Sequence, residues 1–187
     1  MNGELRRCFW ANPNNPLYLA YHDEEWGEPC HDERMLFEML ILEGFQAGLS
    51  WECVLNKREA FREAFDNFDV QKVAKYNENK LSSLADNPKI IRNKLKINAS
   101  VKNANAFIKI QEEFGSFDNY IWGFTNKEVI YEPCDLRTTS SLSDTISKDM
   151  KKRGMKFVGS TIIHSFLQAI GIINGHIEGC YKFKKQD

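Results

Sequence analysis

Apolar residues along this chain recur at helical spacing, with polar capping residues between the periodic stretches. Asp32 can accept hydrogen bonds from first-turn amides and so starts a helix running to about Leu42. Ser50 does the same for a helix through Phe65, where Val54, Leu55, Phe61, Ala64 and Phe65 follow a period near 3.6. Asp69 and Asn77 cap two short helices. Pro88 suits the first position of a long helix carrying Ile90, Ile91, Ile97, Val101, Phe107 and Ile110 and stopped by Gly115. A weaker helical segment spans Phe117 to Phe124, and the polar stretch Thr125 to Asp144, with Pro133, reads as a long surface connection. A helix from Asp144 to Arg153 ends at Gly154, and the last runs from near Ser160 to around Gly171. No strand-like alternation persists and no repeat is evident, so the expected class is all-α.

Composition narrows the setting. The 187 residues fit one domain, or two interlocked lobes, with room for a sizeable core. No apolar stretch approaches the roughly 18 residues a membrane span needs. The opening MNGELRRCFW lacks a signal-peptide profile, so a cytoplasmic protein without membrane attachment is expected. Five cysteines, an odd number at irregular spacing, argue for reduced thiols or metal ligation over a disulfide scaffold.

A net charge of −1 hides a segregated field. Residues 1–50 carry Arg6, Arg7 and Arg34 against 9 acidic groups. Pro88 to Ile110 carries Lys89, Arg92, Lys94, Lys96, Lys102 and Lys109 with no acidic residue, and Lys148 to Lys156 adds five cations against Asp149. Such clusters serve as ordinary solvated helix faces or as a basic surface toward a polyanion.

Two short patterns carry candidate chemistry. In GMKFVGST, Gly154 to Thr161, one glycine can end a helix and Gly159 leaves room for close backbone approach before Ser160 opens the next helix. A corner of that kind can seat a phosphate among lysines such as Lys156, and it is also a common way of turning between packed helices. Separately, His176 and Cys180 stand four apart in HIEGC. With Cys8 and His22 they would complete a tetrahedral Cys2His2 zinc site of structural type, pinning both ends of the chain. Cys30 and His31 are rival ligands, whereas Cys53, Cys134 and His164 suit packing or surface roles.

The stretch LEGFQAGLSW, Leu42 to Trp51, sets Glu43 at the end of an apolar run. Glu43 lies four residues after Met39 and seven after Leu36, on the apolar face, while Glu38 is turned away beside Arg34 as a solvent-side pair. Burial would raise the pKa of Glu43. Such a carboxylate either accepts loop amides or faces a ligand. Trp10, Tyr18, Tyr21 and Trp26 crowd one short polar segment and Trp51 follows Glu43, an aromatic company suited to a flat, cationic ring. Trp26 can equally cover the metal site.

RCFW, PLYLAYHDEEWG, LFEMLILEGFQAGLSW, LNKREAFREAF and KKRGMKFVGSTIIHSFLQAIG, in this order and spacing, resemble the bacterial DNA-3-methyladenine glycosylase I family over essentially the whole chain. The resemblance implies a two-lobed helix-hairpin-helix DNA glycosylase within a single domain, residues 1–187, whose central helical lobe covers about 50–145 and whose other lobe is formed by both termini around zinc. It implies a structural Zn2+ on Cys8, His22, His176 and Cys180, a pocket carboxylate at Glu43, stacking residues at Tyr21 and Trp51, and further pocket aromatics at Tyr18 and Trp10. Ala47, Gly48 and Leu49 fall on the loop that enters the duplex, and Lys156 and Gly159 on the DNA-holding hairpin. The implied activity is hydrolytic release of 3-methyladenine from alkylated double-stranded DNA; a monomer is expected, and with no Lys placed to form a Schiff base no lyase activity is expected. The rival readings are a non-catalytic helix-hairpin-helix DNA-binding module and a zinc-dependent hydrolase using Glu43 as base. The sequence departs from the family pattern at Phe9, at one extra residue between Trp10 and Pro16, and at Phe45. The wider superfamily's catalytic Asp has no counterpart, because no Asp lies between Gly159 and Lys185 and Glu178 sits between two of the expected zinc ligands.

Overall fold

The computed structural model describes residues 5–132 and 137–184, and Pro133 and Cys134 lie outside that range. Ten α-helices are present among the described residues: α1 (Pro16–Ala20), α2 (Glu33–Gln46), α3 (Trp51–Leu55), α4 (Arg58–Ala64), α5 (Val70–Val73), α6 (Glu78–Asp86), α7 (Lys94–Phe114), α8 (Phe117–Gly123), α9 (Ser141–Lys152) and α10 (Ser160–Ala169). A π-helical turn, Tyr21–Glu25, continues α1. Two short strands, β1 (Ile130–Tyr131) and β2 (Ile173–Asn174), pair in parallel with Ile130 opposite Ile173 and Tyr131 opposite Asn174.

Helix α2 is the axis of the molecule. Asp32 caps it by accepting from Met35 N at 2.8 Å, and every residue from Leu36 to Phe45 is buried. A helix buried on all sides needs partners all round. It finds them in α10, α7, α8 and α3. Aromatic rings fill the gaps: Phe37 meets Phe107 edge-on at 5.2 Å, Phe45 meets Phe61 at 4.8 Å, and Phe107 stacks on Phe117 at 4.0 Å. Glu38 is therefore no solvent-side residue. It is fully buried, and its carboxylate accepts from Arg34, Arg58 and Arg62. Its pKa lies below the ordinary value, because burial, which alone would raise it, is outweighed by Arg62 and Arg58.

Several boundaries differ from the sequence expectation for local reasons. The helix expected from Ser50 to Phe65 is broken at Asn56–Lys57, which allows Val54 and Leu55 and then Arg58 and Phe61 all to be buried. Helix α7 begins at Lys94, six residues after Pro88. The Asn87 side chain accepts from Lys89 N in a tight turn, and Asn93 caps α7 by accepting from the amides of Leu95 and Lys96. Helix α9 starts at Ser141, where Ser140 and Ser143 form a reciprocal capping box, so Asp144 falls in its first turn. The strand pair is too short for alternation to reveal it.

The hairpin between α9 and α10 follows from its residues. Gly154 takes φ +93, and the amides of Gly154 and Met155 return to the carbonyls of Lys151 and Met150. Gly159 is the cap of α10 and provides no side chain, while the Ser160 hydroxyl is engaged by Ser143 and Asp144. The chain ends are also joined, with Tyr181 N donating to Arg6 O. No helix among the described residues is long and apolar enough to cross a membrane.

Candidate active site

A cleft of about 150 Å³ lies where the N-terminal segment, the C-terminal end of α2 and α10 meet. The N-terminal segment contributes Trp10, Tyr18, Tyr21 and Trp26, α2 contributes Glu43 and Gln46, Trp51 comes from the start of α3, and Ser165 and Gln168 from α10. Tyr21 and Trp51 tilt toward one another with centroids 5.1 Å apart, and Trp10 contacts Tyr18 at 5.5 Å and the edge of Trp26 at 4.7 Å. The floor is Glu43. It is 2% exposed, and its Oε2 has no hydrogen-bond partner among the described residues. Burial pushes its pKa up to about 8. Burial also raises the phenols of Tyr21 and Tyr18, with Glu43 among the further causes at each, so both are neutral donors. A cleft of this volume has room for one small ring system.

The structure thus brings Glu43, Tyr21, Trp51, Tyr18 and Trp10 together in one cleft. Sequence reasoning missed Gln46, Ser165 and Gln168. Gln46 stands three residues after Glu43 and therefore on the same helix face. Ser165 and Gln168 have the same spacing within the apolar stretch STIIHSFLQA, a polar pair that was readable as a pocket edge.

Cys8, His22, His176 and Cys180 are all buried, and their donor atoms lie within 4.8 Å of one another, a group that could hold a metal ion. His176 Nδ1 stands 3.5 Å from Cys8 Sγ and 3.6 Å from Cys180 Sγ, and His22 Nε2 is 3.5 Å from Cys180 Sγ. The outer ring nitrogens are occupied: His22 Nδ1 pairs with Asp23 at 2.8 Å, and His176 Nε2 with the Trp26 carbonyl at 3.2 Å. Burial, then the neighbouring His22, lowers the His176 pKa to about 4, and burial lowers that of His22, so both imidazoles are neutral ligand forms. His31 is elsewhere, paired with Asp118 at 2.7 Å, and neither it nor Cys30 joins the cluster.

A family model described as methyladenine glycosylase matches residues 10–184. The chain belongs to the methyladenine glycosylase family. It is 44% identical over 180 residues to DNA-3-methyladenine glycosylase 1 of Escherichia coli (strain K12), covering 94% of this chain and 96% of that protein. It is 41% identical over 178 residues to the DNA-3-methyladenine glycosylase of Haemophilus influenzae, covering 93% and 96%. Among solved structures, 3-methyladenine DNA glycosylase I from Staphylococcus aureus superposes with a TM-score of 0.92 at 34% identity, over 99% of this chain and 100% of that one. A point variant of a 3-methyladenine DNA glycosylase I in complex with 3-methyladenine gives 0.88 at 35% identity, over 93% and 96%.

In this methyladenine glycosylase the segments expected to meet DNA sit at the surface. Ala47 and Gly48, the latter at φ +80, form a tight turn closed by Leu49 N donating to Gln46 O at 2.7 Å, a backbone that favours glycine at its third position. Leu49 is 42% exposed at its tip. A Cβ added to Gly159 would meet nothing within 4 Å, and Lys156 is exposed beside it. Two cations of the basic clusters are not available, however. Arg153 is spent on Glu113 and Asp149, and Lys96 is buried. Glu178 is exposed.

Proposed function

We propose that this methyladenine glycosylase flips N3-methylated adenine out of alkylated double-stranded DNA into the aromatic cleft and hydrolyses its N-glycosidic bond. The observation that carries the reading is Glu43: a buried carboxylate with an unpartnered oxygen, inside a cleft lined by aromatic rings. Left without a cation or donor of its own, such a group suits a ligand that brings both, a positively charged purine with an exocyclic amine. Water adds to the sugar C1′ and releases a proton to solvent. The bond pair moves to the purine and cancels its charge. The leaving group is cationic from the start, so no strong general acid is needed, in keeping with a chain that has no Asp between Gly159 and Lys185. Ionised Glu43 acts as counter-charge and accepts from the amine.

Flipping costs a few kcal/mol, and less for a damaged base. Stacking returns about 1–3 kcal/mol per base, and cation–π attraction roughly 0.5–2 more, so Tyr21 and Trp51 together offset extrusion. Leu49, on the Ala47–Gly48 turn, fills the space the base leaves. The α9–α10 hairpin, with Gly159 and Lys156, is a helix-hairpin-helix motif that holds backbone phosphates and reads no sequence. We assign the chain two lobes, one of both termini and α10, the other of the central helices from about residue 50 to 145, with Trp51 reaching the cleft from the second.

The four-residue cluster fits zinc. Sulfur and nitrogen ligands at about 2.3 and 2.0 Å, set tetrahedrally, stand about 3.5 Å apart, the separation seen between the thiols and imidazoles. Four protein ligands leave no open position, so bound zinc would tie the termini together and take no part in the chemistry. The same count argues against a zinc hydrolase. We read the enzyme as a monofunctional, monomeric, cytoplasmic glycosylase of base-excision repair that leaves an abasic site. Incubation with dimethyl-sulfate-methylated duplex DNA should release free 3-methyladenine, detected by chromatography; DNA with its methylated bases intact would overturn the proposal.

A further inference from the structure

Lys96 belongs by sequence to a basic stretch, where a solvated helix face or a phosphate contact is expected. The structure puts it elsewhere. Its side chain turns inward, is 7% exposed, and donates to two carbonyls, Phe45 O at 2.8 Å and Ala47 O at 2.6 Å. These belong to the last turn of α2 and to the Ala47 corner that follows. Helix ends leave carbonyls without intrahelical donors, and a cation there also meets the negative end of the helix dipole. The Gln46 carbonyl is taken by Leu49 N, so Lys96 supplies the remaining donors on either side of it. The ammonium also lies 5.8 Å from the Phe157 ring centroid, in the α9–α10 hairpin. Seven residues on, and so on the same face of α7, Asn103 clamps Lys156 from both sides, donating to its carbonyl at 2.9 Å and accepting from its amide at 2.8 Å.

We propose that Lys96 is a positioning residue for base extrusion: it fixes the Gln46–Leu49 turn so that Leu49 projects at a set height beside the cleft, and with Asn103 it makes α7 a strut holding that turn and the hairpin at constant spacing. The proposal rests on the reading of Leu49 as the side chain that enters the duplex. A freely hinged turn would let Leu49 fold back on entry, whereas a turn held at both flanking carbonyls transmits the docking force to the base pair. Lys96 itself touches neither base nor phosphate. Its loss should therefore leave the number of phosphate contacts unchanged.

The test compares Lys96→Met, Lys96→Arg, Leu49→Ala and the Leu49→Ala/Lys96→Met double variant. Three readouts are taken: 3-methyladenine release from methylated duplex DNA, the affinity for free 3-methyladenine by tryptophan quenching, and the salt dependence of duplex binding. Lys96→Met should lower kcat/KM on duplex by roughly 10–100-fold, the scale of an ångström-level misplacement. Free-base affinity should stay within about twofold, the salt slope should not change, and Lys96→Arg should recover most of the loss. In the Leu49→Ala background the same substitution should cost less than about twofold, because a turn without its wedge has nothing left to position. Additive losses, an equal fall in free-base affinity, or a salt slope reduced by about one would each overturn the positioning role. Unimpaired Leu49→Ala would instead remove the wedge reading itself. Should Lys96→Met fail to fold, Lys96→Gln, which keeps a donor without the charge, answers the same question.

Discussion

Replacing Glu43 by Gln keeps the shape of the side chain and removes its ionisation, and the consequence can be worked out with its sign. In the folded protein the carboxyl titrates at about 8 because burial disfavours the anion, against an ordinary value of 4.5. Between these two pH values the folded state holds a proton that the unfolded state has released. Stability must then fall as pH rises through that window and level off above it. At about 1.4 kcal/mol per pH decade, the full span is worth about 5 kcal/mol, and most of it is already lost at neutral pH. Glu43→Gln carries no such penalty. Its stability relative to the parent should rise from pH 5 to pH 8 and then stay level, with a difference in Tm of up to roughly 10–20 °C for a chain of this size. Activity should move the other way. On the proposed function the free enzyme ionises Glu43 to receive a cationic base, so kcat/KM on methylated DNA should climb with pH toward a plateau above about pH 8, since that ratio reports free-enzyme ionisations. The neighbouring phenols of Tyr18 and Tyr21 are raised and do not titrate in this window. The Gln variant should be slow and pH-independent. Thermal unfolding at pH 5, 7 and 9 and initial rates over the same range decide it. A stability difference that is constant with pH, or a parental kcat/KM that is flat, would refute the argument that burial holds this carboxyl protonated.

Metal analysis should find about one zinc per chain, and stripping it with a chelator should lower Tm and loosen both termini before it lowers base release; a metal-free protein of equal Tm would refute the ligand set. Trp51→Ala should weaken binding of free 3-methyladenine by about 1–3 kcal/mol, measured by calorimetry, and an unchanged affinity would take Trp51 out of the stack. Glu38→Ala leaves Arg58, 6% exposed, with the partly exposed Glu25 in place of its buried partner, and removes the shared acceptor of Arg34 and Arg62. It should cost about 3–5 kcal/mol in denaturant unfolding, an effect present above about pH 4.5 and lost as pH falls through the depressed value of Glu38. Gly159→Val, at φ −63 with open space around its Cβ, should leave Tm within a few degrees. It should still weaken duplex binding at least several-fold by filling the approach to the hairpin amides, and equal affinity in a filter-binding assay would remove that hairpin from the DNA interface.

The legible parts of the sequence were those governed by local chemistry. Asp32, Ser50, Asp69 and Asn77 each cap a helix because a short side-chain acceptor reaches the amides two or three residues on, and this needs no knowledge of the fold. Residue types that are costly or rare in their settings marked the cleft aromatics and several possible Cys and His ligands, while the choice of Cys8 and His22 over Cys30 and His31 rested on the family resemblance. What failed were inferences that depend on what packs against a helix. Glu38 reads as a surface partner of Arg34 from its own helix, and only the arrival of Arg58 and Arg62 from α4 turns the site inside out. Lys96 fails for the same reason in reverse. Its place in a basic run suggests solvent, but the acceptors that draw it inward lie 49 and 51 residues away in sequence. The start of α7 failed for a different one: proline tolerates a helix's first turn without requiring it, and two asparagines offered the backbone a better turn and a better cap.

Glu38 and Glu43 make a comparison that bears on function more directly than either residue alone. They stand five positions apart on one helix, and both are buried. The first has three guanidinium groups around it and is held ionised below its ordinary pKa. The second has burial as the sole cause of its shift, a carboxylate oxygen without a partner, and a pKa near 8. If α2 needed a buried carboxylate merely to hold its neighbours, the Glu38 arrangement shows how this fold builds one, with every charge answered from an adjacent helix. At Glu43 the same fold supplies no such partner among the described residues and surrounds the carboxyl with rings instead. An unpaired buried carboxyl is a destabilising element, and such elements persist where activity depends on them. On the function proposed above, the missing partner is a cation that arrives from outside, and a methylated adenine swung out of the duplex would bring the charge and amine to Glu43 and its flat face to the surrounding rings.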